Sequence, residues 1–167
     1  MAMKTNIDFI GIQQLMQLNI AQFEKFNQWI VAEDWASFHS NHYDWWAFPI
    51  DKPSNYGFAY TVYDEDIAQM KNYEEFMSKH QLGAAYLLLS WGWDAKTNQT
   101  VSNPESGQAW ANWPIRLAKC ARSMWLFDQS KQFESCVAYA KYLQGSGTSF
   151  GYNRRDLFDE IVNPQNY

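Results

Sequence analysis

Apolar residues recur at helical spacing along much of this chain of 167 residues. Between positions 7 and 35 they form two successive stripes: Ile12, Leu15, Met16 and Ile20, then Phe23, Phe26 and Ile30. Residues three, four and seven positions apart lie on one face of an α-helix, so both stripes predict helix. The change of stripe near Asn19 predicts a kink, or two short helices that meet there.

Further helices are predicted at positions 33–39, 65–71, 73–93, 108–127 and 130–143, with a short closing helix at 154–161. Asp64, Asn72 and Asn153 are residues that favour helix N-caps, and Gly145 favours a left-handed C-cap. Pro114 is expected in the first turn of its helix or at a kink. Residues 82–93 are apolar on nearly all sides, which is typical of a central, buried helix.

Two prolines interrupt the helical pattern in the first half of the chain. Pro49 and Pro53 exclude a continuous helix, so we expect an irregular insert over residues 49–63. A polar stretch over residues 95–107 predicts an exposed loop. Because the length fits one domain, we predict an all-α, single-domain bundle of five or six helices over residues 1–167. It would comprise an N-terminal helical segment (1–19), a main core (20–145) and a C-terminal loop with a short helix (146–167).

The aromatic content changes what kind of core is expected. Nine Trp, ten Tyr and eleven Phe make up 18% of the chain. Each such ring can bury about 150–250 Å², so these side chains predict an aromatic-rich core. Trp and Tyr are also enriched in ligand pockets and protein interfaces. The same composition therefore fits a pocket or an interaction surface lined by rings.

Charge and hydropathy exclude several classes of partner. The formal net charge is −5, and binding to nucleic acid needs clustered cations, so we expect no nucleic-acid partner. No apolar run approaches the roughly 18 residues that span a bilayer, and no secretory signal pattern is present. We therefore expect a cytoplasmic protein with no membrane partner. Cys120 and Cys136 are expected as small buried side chains, which could form a disulfide only if their helices pack antiparallel.

The segment from His39 to Asp51 has the densest set of polar and aromatic side chains. His42 could act as a catalytic base oriented by Asp44 or Asp51, with Tyr43 as a polar contact, since a carboxylate raises the basicity of an imidazole. The alternative is that these groups tie down a buried turn through hydrogen bonds to the backbone. His39 and His42 have a spacing that zinc can use, but further ligands are not evident, so we expect no metal and no cofactor.

A row of cations forms a second candidate site. Arg116, Lys119 and Arg122 follow at three-residue spacing on one predicted helix. Joined in space by Arg154 and Arg155, they could hold a carboxylate or phosphate, which Arg binds through two parallel hydrogen bonds. The alternative is that the row is the solvated face of an amphipathic helix.

Tryptophans supply the remaining candidates. Trp91 and Trp93 flank Gly92 at the end of the predicted central helix, where a packing role is the alternative to ligand contact. The candidate ligand-binding set is therefore Trp45, Trp46, Trp91, Trp93, Arg116 and Arg122.

Residues 43–50 resemble the conserved region of the opioid growth factor receptor family. That region has a Tyr-x-x-Trp-x-Phe-Pro-apolar run, matched here by Tyr43, Trp46, Phe48, Pro49 and Ile50. The resemblance covers roughly residues 23–143 and implies a helical domain like that of the family's bacterial members. It implies no catalytic residues.

Three functional hypotheses follow from these patterns. The leading one is a helical domain that binds a partner protein or a small ligand through an aromatic-lined surface. The alternative is a small-molecule enzyme without an organic cofactor, an isomerase, lyase or hydrolase that uses His42 and Asp44 in an aromatic pocket. The third is an oligomeric structural protein whose exposed rings form a self-interface.

Overall fold

The computed structural model describes residues 6–167, in which eight α-helices account for most of the structure. They are α1 (Ile12–Val31), α2 (Trp35–Ser40), α3 (Asp44–Ala47), α4 (Asp64–Met70), α5 (Glu74–Ser90), α6 (Pro114–Leu126), α7 (Ser130–Gly145) and α8 (Leu157–Val162). Two antiparallel hairpins, β1–β2 (Trp93–Asp94 with Gln99–Thr100) and β3–β4 (Gly151–Tyr152 with Arg155–Asp156), have strands of two residues each. A short 3-10 helix, Pro164–Asn166, follows α8. The predicted all-α class is confirmed.

Helix α1 is one continuous element, so the predicted break near Asn19 is wrong. Asn19 interrupts the apolar stripe because its side chain is buried in a polar role: its amide donates to the carbonyl oxygens of Trp46 (3.1 Å) and Ala47 (3.0 Å). Gln22, also buried, accepts a hydrogen bond from the indole nitrogen of Trp46 at 3.0 Å. These bonds tie α3 to the middle of α1 without disturbing its backbone.

Helix α6 packs mainly against α7 and also contacts α3, α5 and α8. It begins at Pro114, whose missing N–H costs nothing in the first turn of a helix. The prediction that this helix starts at position 108 is therefore wrong, and Trp110 and Trp113 precede it. Helix α5 packs against α1, α2 and α7, and ends where Gly92 adopts a positive φ of 84°. The central position predicted for this segment agrees with its buried Leu87 and Leu88.

Aromatic rings fill much of the interior, as the composition predicts. Phe26 of α1 stacks on Phe38 of α2 with a centroid separation of 5.1 Å and meets Tyr43 edge-on at 4.8 Å. A second, smaller cluster surrounds Phe76 and Phe127. The rings thus join α1, α2 and the start of α3 around one point.

In the C-terminal third two smaller predictions change, and the prediction that both cysteines are buried is confirmed. Residues 154–156 form a hairpin rather than a helix, and the closing helix begins later, with Asp156 as its N-cap. The left-handed glycine after α7 is Gly147, at a φ of 93°, while Gly145 is the last residue of the helix. Cys120 and Cys136 lie on α6 and α7 with their sulfur atoms 3.8 Å apart, as free thiols.

Candidate functional site

The guanidinium of Arg116 is the centre of a buried polar cluster in which it donates to four acceptors. Its Nε donates to Asp44 Oδ1 at 2.6 Å, and its Nη1 donates to the carbonyl oxygen of Phe38 at 2.8 Å and to the Tyr43 hydroxyl at 3.2 Å. Its Nη2 donates to the carbonyl oxygen of Asn41 at 2.8 Å. The side chain is only 1% exposed. Arg116 therefore fastens α6 to the α2–α3 connection.

Aromatic rings enclose the same guanidinium from two sides. Its carbon lies 4.3 Å from the Tyr43 ring centroid and 4.6 Å from that of Trp113, both within cation–π range. The Tyr43 hydroxyl donates to the carbonyl oxygen of Phe38 at 2.6 Å, and burial raises the pKa of this phenol. Tyr43 and Asp44 thus hold the backbone turn between α2 and α3, the structural alternative that the sequence left open.

His42 does not form the expected pair with a carboxylate. Its ring meets Trp113 edge-on at 6.1 Å, and within residues 6–167 it has no hydrogen bond to Asp44 or Asp51. Asp44 faces Arg116, and Asp51 accepts two hydrogen bonds from Arg122, at 2.6 and 3.1 Å. The Nε2 of His39 lies 2.8 Å from the carbonyl oxygen of Gly107, a hydrogen bond to the backbone.

A pocket of about 680 Å³ opens beside the outer part of α6. One wall comes from α6, one from the insert after Pro49, and one from the β3–β4 hairpin and α8. Its lining includes five cationic and two acidic side chains: Lys52, Lys119, Arg122, Arg154, Arg155, Asp156 and Glu160. The other lining residues are Ile50, Pro53, Ile115, Ala118 and Tyr167. We refer to this cavity as the basic pocket.

Two of the arginines in the basic pocket are paired with carboxylates of the protein. Arg122 holds Asp51 as described, and Arg155 donates to both carboxylate oxygens of Glu160, at 2.9 and 2.7 Å. Burial by itself would raise the pKa of Asp51, but the hydrogen bonds and charge of Arg122 outweigh it and lower that pKa. Arg122 also donates from Nη1 to the carbonyl oxygen of Pro164 at 3.3 Å, so each of its guanidinium nitrogens has a partner. The Nη1 of Arg155 has none within the described residues.

Within residues 6–167, Lys119 has no carboxylate of its own. Its ammonium nitrogen lies 3.9 Å from Asp44 Oδ2, an oxygen of the carboxylate that Arg116 already holds, and 4.9 Å from the centroid of the Trp45 ring. Burial lowers the pKa of Lys119, and the charges of Arg116 and Arg155 act in the same direction against that of Asp44. A ligand anion would relieve this crowding of positive charge.

Arg154 lies at the tip of the β3–β4 hairpin, in a backbone conformation that arginine rarely adopts. Tyr152 pairs with Arg155 across the hairpin, so Asn153 and Arg154 form a two-residue loop, with φ values of 49° and 65°. Such loops favour glycine at the second position, and a non-glycine residue in this region costs about 1–3 kcal/mol. In the described part of the chain Arg154 has no ion-pair or hydrogen-bond partner.

The candidate tryptophans are divided among three places. Trp45 lines a small cleft that shares Ile50, Lys52, Pro53 and Lys119 with the basic pocket, and Trp46 is half-buried against Gln22. Trp93 is 4% exposed and donates its indole N–H to Ser135 at 3.1 Å, which is a core role.

Trp91 lines a separate cavity of about 520 Å³ near the β1–β2 hairpin, which we call the aromatic groove. Its rings are Trp91, Trp110, Tyr139 and Tyr142, and none of its lining residues is charged. Within residues 6–167, the buried indole nitrogens of Trp91 and Trp110 have no hydrogen-bond partner. Buried donors are normally paired, and the rings of these two tryptophans meet edge-on with their centroids 4.9 Å apart.

His80, the third histidine, lies away from both cavities and is fully buried. The Gln129 amide nitrogen, which can only donate, lies 3.3 Å from Nδ1, so the proton is on Nε2, 2.8 Å from the Ser123 hydroxyl oxygen. Burial lowers the pKa of His80 to about 3. Ser123 is also fully buried, so this Ser–His contact is a structural hydrogen bond.

Neither a cluster of metal ligands nor a membrane-spanning helix occurs among residues 6–167. No group of three or more His, Cys, Asp or Glu side chains in that range is placed to hold a metal ion. In the same range, no helix combines the length and the apolar character needed to cross a membrane. Comparison of the chain with known protein families, with curated proteins and with solved structures finds no match.

The sequence named four of the five cations in the basic pocket: Lys119, Arg122, Arg154 and Arg155. It missed Lys52, Asp156 and Glu160, and it named Asp51 as a partner of His42 rather than of Arg122. Lys52 lies in the irregular insert, where no periodicity shows which way a side chain faces. Its ammonium donates to the main-chain oxygen of Tyr167 at 2.8 Å, a contact across 115 positions.

Proposed function

We propose that this protein binds a small organic anion in the basic pocket. The observation that carries the proposal is the convergence of Lys52, Lys119, Arg122, Arg154 and Arg155 on one cavity of a chain whose net charge is −5. Because acidic residues outnumber basic ones in the chain, a cavity lined mainly by cations is unusual. The concave, low-dielectric wall of such a cavity strengthens the electric field of the cations. Arg154, at the exposed tip of the hairpin, adds a cation that has no carboxylate partner within the described residues.

The shape of the basic pocket supports an organic ligand rather than an inorganic ion. Its volume of about 680 Å³ falls in the range of roughly 300–1,000 Å³ that is typical of small-molecule sites. Ile50, Pro53 and Ile115 give one part of the lining an apolar character. A ligand with an anionic group and an apolar body would use both parts.

Isothermal titration calorimetry with phenyl phosphate, phenyl sulfate and benzoate tests this proposal. We expect at least one of these anions to bind, and the double variant Lys52→Gln/Lys119→Gln to bind it about tenfold more weakly or worse. Lys131→Gln is the control, since Lys131 is an exposed lysine on α7 outside the pocket. The proposal fails if none of the anions binds, or if the two variants bind equally well.

A second candidate function rests on the aromatic groove and matches the leading hypothesis from the sequence. We propose that it holds an uncharged ligand with hydrogen-bond acceptors, because its lining lacks charge and the indole donors of Trp91 and Trp110 have no acceptor within residues 6–167. The half-exposed ring of Tyr142 offers a face on which a flat or ring-shaped ligand can lie.

Native mass spectrometry of protein purified gently from its own host tests the groove. A retained neutral small molecule that is lost in Tyr142→Ala, but kept in the exposed-surface control Tyr73→Ala, supports the proposal. Protein without any retained molecule, together with unchanged thermal stability of Trp110→Phe, would count against it. Removing an orphaned donor from a groove that binds nothing should leave stability unchanged or improve it.

A further inference from the structure

The distribution of charge in the basic pocket indicates what charge the ligand carries. Arg122 and Arg155 are compensated by Asp51 and Glu160, which lie 2.6 and 2.7 Å from them. Lys119 only shares a carboxylate with Arg116, at 3.9 Å, and Arg154 has no carboxylate partner in the part of the chain that the structure describes. Lys52 donates only to the main-chain oxygen of Tyr167, and its charge is formally offset by Asp156, which has no cationic partner among the described residues. Two positive charges are therefore left for a ligand, that of Lys119 on the wall and that of Arg154 on the hairpin.

The backbone of the hairpin supplies a second, independent observation. At a φ of 65°, the Arg154 position would be better filled by glycine, as in most two-residue hairpin loops. Arginine adds strain to the turn and gains no described contact within the protein. Strained positions that the fold does not require are concentrated at functional sites. Binding a ligand accounts for an arginine at this position.

Resting on the proposed function, we infer that the ligand of the basic pocket is an organic phosphate monoester, whose dianionic group is bound between Lys119 and Arg154. A phosphate monoester carries nearly two charges at neutral pH and three acceptor oxygens. The two charges match the ammonium of Lys119 and the guanidinium of Arg154. The oxygens can also accept from the Nη1 of Arg155, which bonds to no described group. A carboxylate or sulfate ester carries one charge and would leave one of the two cations uncompensated.

Phenyl phosphate and phenyl sulfate provide a matched pair of probes, since they have nearly the same shape and differ by one charge. By isothermal titration calorimetry at pH 7.5, we expect phenyl phosphate to bind the native protein about tenfold or more tightly than phenyl sulfate. Equal affinity of the two probes would overturn the inference and leave the proposed function standing. Absence of binding by both phenyl esters and by benzoate would overturn the proposed function as well.

Substitutions of Arg154 separate its charge from its backbone strain. Arg154→Gly should lose most of the preference for phosphate over sulfate, while its thermal midpoint stays the same or rises because the turn is relaxed. Arg154→Lys, which keeps both charge and strain, should retain part of the preference. Undiminished phosphate preference in Arg154→Gly would overturn the role of Arg154. A fall in the thermal midpoint of that variant would show that the arginine serves the fold, and would overturn it too.

Discussion

Replacing Arg116 by Met removes the buried guanidinium but keeps a side chain of similar length and flexibility. The carboxylate of Asp44, with a side chain 7% exposed, would then have only Lys119 nearby, at 3.9 Å. The carbonyl oxygen of Asn41 would lose its donor at 2.8 Å, whereas that of Phe38 would keep the Tyr43 hydroxyl. The change therefore leaves one buried charge poorly compensated and one acceptor unmet.

Removing one partner of a buried ion pair costs about 3–5 kcal/mol of unfolding free energy. The remaining attraction of Lys119 places the expected loss near the lower end, at about 3 kcal/mol. Urea denaturation, followed by tryptophan fluorescence and circular dichroism at pH 7, measures it. For a slope of about 2 kcal/mol per molar urea, the midpoint should fall by about 1.5 M.

Arg122→Met is the matched control on the same helix. Its side chain is 11% exposed and that of Asp51 is 27% exposed, so solvent screens the pair, and the expected loss is about 1 kcal/mol. The double variant Asp44→Asn/Arg116→Met should recover part of the loss, because no lone charge stays buried. The reasoning is refuted if Arg116→Met loses no more than Arg122→Met, or if the double variant is less stable than Arg116→Met.

Three further predictions concern buried groups. Because the pKa of His80 is about 3 when folded and about 6.5 when unfolded, the unfolded state binds more protons in between. The contribution of His80 to the free energy of unfolding should therefore be full well above pH 6.5 and should fall by about 2 kcal/mol between pH 7 and pH 5. In His80→Gln this part of the pH dependence should be absent. In Gly92→Ala, a Cβ would meet the Gln108 carbonyl oxygen at 3.0 Å with φ at 84°, so we expect a loss of about 1–2 kcal/mol. Burial raises the pKa of the Cys120 thiol, so disulfide reagents should label it only as fast as the chain unfolds.

Each of these has its own control. Equal pH slopes for the native protein and His80→Gln would contradict the first. Gly145→Ala, at a helical position where a Cβ meets nothing within 4 Å, should be neutral or stabilising. The second is contradicted if Gly92→Ala is as stable as Gly145→Ala in thermal denaturation. Labelling of the native protein as fast as of the protein unfolded in urea would contradict the third.

The helical class was predictable because the main helices each carry an apolar face at regular spacing. Helix α1 shows why one detail was not. Asn19 and Gln22 break the stripe in the sequence, yet both are buried, since the backbone and indole of the α3 segment supply their hydrogen bonds. Those partners lie more than twenty positions away, so no local pattern reports them.

The cation row on α6 shows how far the candidate site was predictable. Residues six positions apart are about 120° apart around a helix axis, at 100° per residue. Arg116 therefore faces the core while Arg122 faces the basic pocket, with Lys119 between them. The sequence showed the row and its companions at positions 154 and 155, but which member faces inward depends on α3, whose Asp44 is 72 positions from Arg116.

The carboxylate of Asp44 belongs to two neighbourhoods at once, since one oxygen faces Arg116 in the core and the other faces Lys119 at the pocket wall. A change at this position would alter the charge that a ligand meets without altering any residue that lines the cavity. The charge at the pocket wall can therefore be changed from the interior, where a substitution also acts on the stability of the fold. A survey of natural variation confined to the pocket lining would overlook it.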